Sequence, residues 1–178
     1  MQPARIRPST AADLAAITAI YAHHVRTGTA SFETDPPDAV EMLGRRAAVL
    51  AAGLPHLVAE HAGAVVGYAS AGPYRARAAY ADTVENSVYL HPDAQRRGTG
   101  RALLDAVIDA CAAAGRRQMV AVVGDSANHA SIALHRAAGF RLVGTLTGVG
   151  FKHGRWLDTV LLQRDLGPGA GSLPVARA

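Results

Sequence analysis

The run DTVENSVYLHPDAQRRGTGRALLDAVIDA, residues 82–110, switches from the hydrophobic period of a strand to that of a helix. In its first part Val84, Asn86, Val88 and Leu90 alternate with Glu85, Ser87 and Tyr89, which sets the two groups on opposite faces. After Gly98, the residues Leu103, Leu104, Val107, Ile108 and Cys111 recur at helical spacing, and Gly115 supplies a stop. Between them lies Gln95-Arg96-Arg97-Gly98-Thr99-Gly100, where the first backbone N–H groups of the helix lack intrahelical partners. Glycines at 98 and 100 remove the Cβ atoms that would crowd a bulky anion. The helix dipole adds about half a positive charge, and Arg96 and Arg97 add full ones. The segment reads as a cradle for an anion of pyrophosphate size. It contains neither GxGxxG nor the Gly-Lys-Ser/Thr of a P-loop.

The rest of the chain alternates helices and strands around this run. A first strand lies in ARIRPST. Thr10 and Asp13 form a capping-box pair before Leu14, Ile17, Ile20, Tyr21 and Val25, which predicts a helix over 11–26. Asp35 stands as the N-cap of a second helix before Pro36, with Val40, Leu43, Ala47 and Leu50 on one face and Gly53 at its end. HLVAEHAGAVVGYASAG reads as a hairpin about His61-Ala62-Gly63. QMVAVVG is a buried strand, a helix runs from near Ala130 to Gly139, and the segment from Phe140 to Leu166 holds two strands about a glycine-containing turn. This order predicts an α/β layer fold, a mixed sheet with helices on both faces, as one domain over 1–166. Residues 167–178, GPGAGSLPVARA, have little apolar content and read as a flexible tail.

At 178 residues the chain can bury a sizeable core without staples, and its single cysteine excludes an intrachain disulfide. Cys111 falls on an apolar helical stripe and reads as core rather than as a nucleophile. No signal-peptide h-region or membrane-length apolar run is present, so a cytoplasmic protein with no membrane partner is expected. The 18 Lys and Arg against 14 Asp and Glu are almost all arginine, with Lys152 the only lysine. That balance favours an anionic ligand. The arginines are scattered and few aromatics interleave with them, so no nucleic-acid partner is expected. His23 and His24 are adjacent and lack the i, i+4 spacing of a metal pair, so no metal site is expected.

The Q/R-x-x-G-x-G/A segment after a strand and before a long helix resembles the acyl-CoA-binding motif of the GNAT superfamily of N-acetyltransferases. Asn128, Ser131, Leu134, His135, Gly139 and Phe140 match its second signature in spacing, with histidine where the motif has tyrosine. AGPYRARAAY, TVENSVYLHP, AQRRGTG and GFKHGRWLDT are similar to the branch that acetylates phosphinothricin and methionine sulfoximine. The resemblance covers roughly residues 5–166. It implies a mostly antiparallel central sheet, acetyl-CoA as co-substrate, a small-molecule amine as acceptor and a homodimer. Transfer would be direct, within a ternary complex. Another small amine as acceptor, or a non-catalytic acyl-CoA-binding module, are the alternative readings.

In that frame the backbone of Arg96, Arg97, Gly98, Thr99, Gly100 and Arg101, with Gln95 leading in, would hold the pyrophosphate. Pantetheine would run along Val88, Tyr89 and Leu90, with Asn128 and Ser131 opposite. Glu85 is the implied general base, since an ammonium must lose a proton before it attacks a thioester and burial raises a carboxylate toward the working pH. His135 can donate or relay a proton, orient a water or simply pack. Arg75 and Arg77 offer forks for an acid group and Tyr80 a hydroxyl, while Phe32 lines the acceptor pocket. Lys152, with His153 and Trp156, lies in a hairpin whose role is substrate contact or dimer packing.

Overall fold

The computed structural model describes residues 3–174. Seven strands form one sheet in the order β1-β2-β3-β4-β5-β7-β6. They are β1 (Arg5–Pro8), β2 (His56–His61), β3 (Ala64–Pro73), β4 (Thr83–Leu90), β5 (Gln118–Gly124), β6 (Arg141–Lys152) and β7 (Arg155–Asp165). Every neighbouring pair is antiparallel except β4 and β5, which are parallel. The helices are α1 (Leu14–Thr27), α2 (Ala39–Ala51), α3 (Thr99–Ala113) and α4 (His129–Ala137).

Successive residues of β2 show why both faces need cover. Val58 and Ala59 are both fully buried although a strand points them in opposite directions. Val58 and Tyr68 pack with Ile17, Ile20, Tyr21 and Val25 of α1 and Met42 of α2. On the other face Ala59, Ala69 and Val84 meet Leu103, Leu104, Val107 and Cys111 of α3. The apolar spacings of α1 and α3 thus place both helices, and Cys111 is core. The β2–β3 and β6–β7 turns use paired left-handed residues, Ala62-Gly63 and His153-Gly154, as two-residue hairpins require.

The second helix corrects the sequence reading in two ways. Its N-cap is Asp38, whose Oδ1 accepts from the Glu41 N–H at 2.8 Å, rather than Asp35. Asp35 precedes two prolines, and a residue before proline is disfavoured in the α region, so the helix starts only after Pro37. The stripe Val40, Leu43, Ala47 and Leu50 faces solvent, with Val40 77 % exposed. The inward face is Met42, Arg46 and Val49, because the Arg46 guanidinium turns in to donate to Ser9 Oγ at 2.8 Å and Ser9 O at 2.6 Å.

Within the segment 167–174 the Arg117 guanidinium donates to Ser172 O and Oγ at 2.7 and 2.6 Å. Residues 175–178 of the expected tail lie outside the described residues. Among the described residues no helix is long and apolar enough to cross a membrane.

Candidate active site

The site originates in a divergence of strands. Parallel pairing of β4 with β5 runs from Thr83 and Gln118 to Asn86 and Ala121 and stops there. Beyond that point β4 continues to Leu90 along β3, while β5 continues to Gly124 along β7. Past the divergence a cleft of about 500 Å³ lies between the end of β4, the starts of α3 and α4 and the 28–30 segment, and its lining includes Val88, Tyr89, Leu90, Gln95, Arg96, Gly98, Gly100, Arg101, Asn128 and Ser131. These ten sequence-derived residues come together. Arg97 and Thr99 instead line a separate cavity of about 260 Å³ on the other side of the loop, beside His61 and His91.

At the mouth, Arg96 and Gly98 both adopt left-handed conformations, with φ of 57° and 81°. Such alternation gathers successive N–H groups into an anion-binding concavity. Gly98 is the N-cap of α3 without a side-chain cap, so the first-turn N–H groups stay available to a ligand. A Cβ at Gly100 would lie 3.3 Å from Leu90 Cδ1, so a side chain there would press into the cleft wall. Arg101 is tied to Asp105 at 2.7 Å and to Ala137 O at 2.9 Å. Asn128 caps α4 through Oδ1, which accepts from Ser131 N at 3.2 Å; its NH2 is the end that a molecule in the cleft would meet.

Among the residues the sequence reading did not assign to the site, His24 lines the cleft and Asp125 holds the loop beside it. His24 donates from Nε2 to Leu90 O at 2.8 Å and so clamps the end of β4 to α1. Its position on the buried face of α1, with Ile17, Ile20 and Tyr21, was the available signal. Asp125, buried and left-handed at the end of β5, accepts from Thr29 Oγ1 at 3.0 Å and Ala127 N at 3.0 Å, and pairs with Arg155. These bonds lower its pKa and tie the 28–33 loop to β5 and β7.

Glu85 is half-buried on the α1 side of β4, where burial raises its pKa and the Arg75 charge opposes that rise. On the same face Ser87 and Tyr89 border a chamber of about 150 Å³ with Tyr21, Arg45, His56 and Tyr68. His135 lies on the opposite side of β4 and is buried. Its Nε2 is 2.9 Å from Asn86 Nδ2 and its Nδ1 2.8 Å from Ser131 O, with burial lowering its pKa. The two acid–base residues of the sequence reading therefore flank β4 without meeting.

Arg75, Arg77 and Tyr80 are exposed on the β3–β4 connection, the Arg75 guanidinium standing 5.0 Å from the Tyr74 ring centre. The Phe32 ring packs on two glycines, since a Cβ at Gly150 would lie 2.4 Å from it and one at Gly124 2.9 Å. Lys152 is buried; its Nζ donates to Ser31 O at 2.7 Å, and Ser31 Oγ lies 2.9 Å from Tyr21 Oη. Burial lowers the Lys152 pKa. Its amine anchors the 28–33 loop to β6. His153 Nε2 reaches Gly28 O at 3.3 Å, and Trp156 is exposed against Phe151. Among the described residues no group of three His, Cys, Asp or Glu converges as a metal site would require.

Residues 17–140 match the model of the acetyltransferase (GNAT) family. The chain belongs to that family. A phosphinothricin N-acetyltransferase of Alcaligenes faecalis is 59 % identical over 162 residues, covering 91 % of this chain and 82 % of that protein. An L-methionine sulfoximine/L-methionine sulfone acetyltransferase of Salmonella typhimurium is 42 % identical over 161 residues, covering 90 % and 94 %. Among solved structures, a GNAT superfamily phosphinothricin acetyltransferase from Sinorhizobium meliloti in complex with acetyl-CoA superposes with a TM-score of 0.95. It has 47 % identity and covers 98 % of this chain and 94 % of that one. This GNAT chain is an acetyl-CoA-dependent N-acetyltransferase of the phosphinothricin-acetyltransferase-like group, with a small amine as acceptor. Its splayed strands, uncapped α3 N-terminus and glycine at 100 fit acetyl-CoA, of which the cradle would hold the pyrophosphate and the cleft the pantetheine arm.

Proposed function

We propose that the enzyme acetylates the amino group of a small amino-acid-like acceptor that carries an acid group, with phosphinothricin the first candidate and methionine sulfoximine or sulfone next. The observation that carries this reading is the pairing of a half-buried Glu85, its pKa raised, with an arginine charge close enough to oppose the rise. A carboxylate so placed can take the proton of an arriving ammonium, and Arg75 and Arg77 can meet the acceptor's acid group with planar forks. Phe32, held on Gly124 and Gly150, gives the acceptor an apolar wall, and Lys152 acts on it through the loop it anchors. Both substrates are held at once, so orientation lowers the barrier and transfer is direct. Backbone N–H groups near Tyr89 and Leu90 would meet the charge developing on the thioester oxygen.

Names of relatives support this choice: 59 % and 42 % identical proteins act on these compounds. The test is release of CoA thiol from acetyl-CoA with phosphinothricin, methionine sulfoximine, methionine sulfone or ordinary amino acids, with Glu85→Gln as control. Fast release dependent on Glu85 with the first three supports the reading. Preference for an acceptor without an acid group refutes it.

Assembly belongs to the same reading. Leu142, Val143, Leu146, Val149, Phe151 and Trp156 of the β6–β7 hairpin are all exposed, and a second copy of the chain is the occupant we assign to that face in a cytoplasmic homodimer. A monomeric mass by light scattering at micromolar concentration would remove it.

A further inference from the structure

The contact between Asn86 and His135 bears on how the thiol leaves, an inference that rests on the acetyl-transfer reading above. His135 is 5 % exposed, and both ring nitrogens meet protein atoms. Nδ1 lies 2.8 Å from Ser131 O, which can only accept, so Nδ1 carries a proton. Ser131 Oγ, at 3.5 Å, is too distant to compete. Nε2 lies 2.9 Å from Asn86 Nδ2, and an amide NH2 can only donate. Nε2 therefore offers its lone pair, and the ring is neutral.

Asn86 Oδ1 is enclosed and has no hydrogen-bond partner, in a residue only 6 % exposed. Turning the amide over to meet an imidazolium Nε2–H would not relieve this, because it would strand Nδ2, a two-proton donor, in the same place. The ring's hydrogen-bond partners are Asn86 and Ser131, neither a carboxylate that would favour the cation. Both side chains bound a cavity of about 50 Å³ at the apex of the cleft, where β4 and β5 part and the reacting end of the pantetheine arm would arrive.

We propose that Asn86 is a positioning residue that holds His135 as the neutral Nδ1–H tautomer, so that no proton stands at Nε2 for the departing sulfur. The proton comes from the attacking nitrogen. Glu85 removes one proton from the ammonium. The neutral amine then forms the C–N bond and still carries a surplus proton. As the C–S bond breaks with its electron pair on sulfur, that proton passes from nitrogen to sulfur, giving a neutral amide and a thiol. His135 walls the apex and gives up nothing.

The experiment is a two-bond 1H–15N correlation spectrum of the full chain labelled in histidine, with His135 assigned from its loss in His135→Gln. At neutral pH the wild type should show a protonated Nδ1 and a bare Nε2. Asn86→Asp places a carboxylate opposite Nε2 and should turn both nitrogens into the N–H type, while kcat stays at or below wild type and KM for acetyl-CoA moves less than about twofold. A wild-type Nε2–H overturns the proposal without recourse to any variant. So does a ring unchanged by Asn86→Asp, or a kcat raised by it. CoA release by the wild type is measured alongside. Its absence would sink the acetyl-transfer reading, whereas release accompanied by a contrary spectrum would sink this inference alone.

Discussion

Gly124→Ala should damage turnover far more than its size suggests. A Cβ built at Gly124 falls 2.5 Å from Thr29 O and 3.2 Å from Ala30 O, both backbone atoms, and 2.9 Å from the Phe32 ring. To reach an ordinary contact of 3.4 Å, the 29–30 backbone must retreat by about 0.9 Å. It is not free to do so, because Thr29 is bonded to Asp125 and the Ser31 carbonyl to Lys152. One of these bonds must lengthen, and overpacking of this kind costs about 1–3 kcal/mol. Thr29 and Ala30 line the cofactor cleft, and Phe32 stands over β5 and β6, so the displaced loop is part of the site. Misplacement of about 1 Å can cost roughly a hundredfold in rate. Two neighbours calibrate the effect. At Gly150 the nearest atoms to an added Cβ all belong to the Phe32 side chain rather than to backbone, so Gly150→Ala should lose about tenfold or less. Gly144→Ala meets nothing within 4 Å and should behave as wild type. The assay is kcat/KM for the acceptor, with thermal melts to show that all three fold. Equal activity in Gly124→Ala and Gly144→Ala would refute the argument that a taut loop transmits the clash.

Glu85 must be a carboxylate to act as base, so kcat/KM should rise with pH through its raised pKa, and Glu85→Gln should abolish that limb and lower turnover by about a hundredfold or more. Arg75→Gln removes a charge that lowers the Glu85 pKa, so the limb should move to higher pH; movement the other way would separate Arg75 from the base. Burial holds the His56 pKa down to about 4, against 6.5 when unfolded. Between those values the unfolded chain binds the extra proton, so stability should fall as the pH drops from 6.5 toward 4, by up to about 3 kcal/mol. His56→Gln should flatten that part of a urea-unfolding series, and parallel wild-type and variant curves would rule His56 out as its source.

How much of this was legible in the sequence depended on whether a residue's partner was local. Strand β4, the loop and α3 could be read directly, because alternation, glycines and helical spacing all act within a few positions. The anion cradle of the cleft followed from that run itself, whereas Val88, Tyr89, Leu90, Asn128 and Ser131 were reached only through the family resemblance. The second helix was misplaced for a reason also local but competing: Asp35 has the chemistry of a cap, yet the prolines after it forbid the helix to start. Its buried face could not be read, since Arg46 turns inward only because Ser9, far away in sequence, accepts from it.

Lys152 shows the same limit more sharply. A lone lysine in a hairpin invites a reading as a ligand contact, but its amine spans 121 positions to reach the Ser31 carbonyl. No pattern within the hairpin specifies that bond. The grip on the 28–33 loop comes from Asp125, just after β5, and from the adjacent Lys152 and His153 at the β6–β7 turn, two stretches of chain far from the loop in sequence. On the proposed reading the cofactor cradle is written in a contiguous strand–loop–helix, whereas the wall that Phe32 offers the acceptor depends on distant bonds. Substitutions that change acceptor choice should therefore fall on Phe32 and on residues that hold its loop, such as Asp125, outside the motifs that reveal the family.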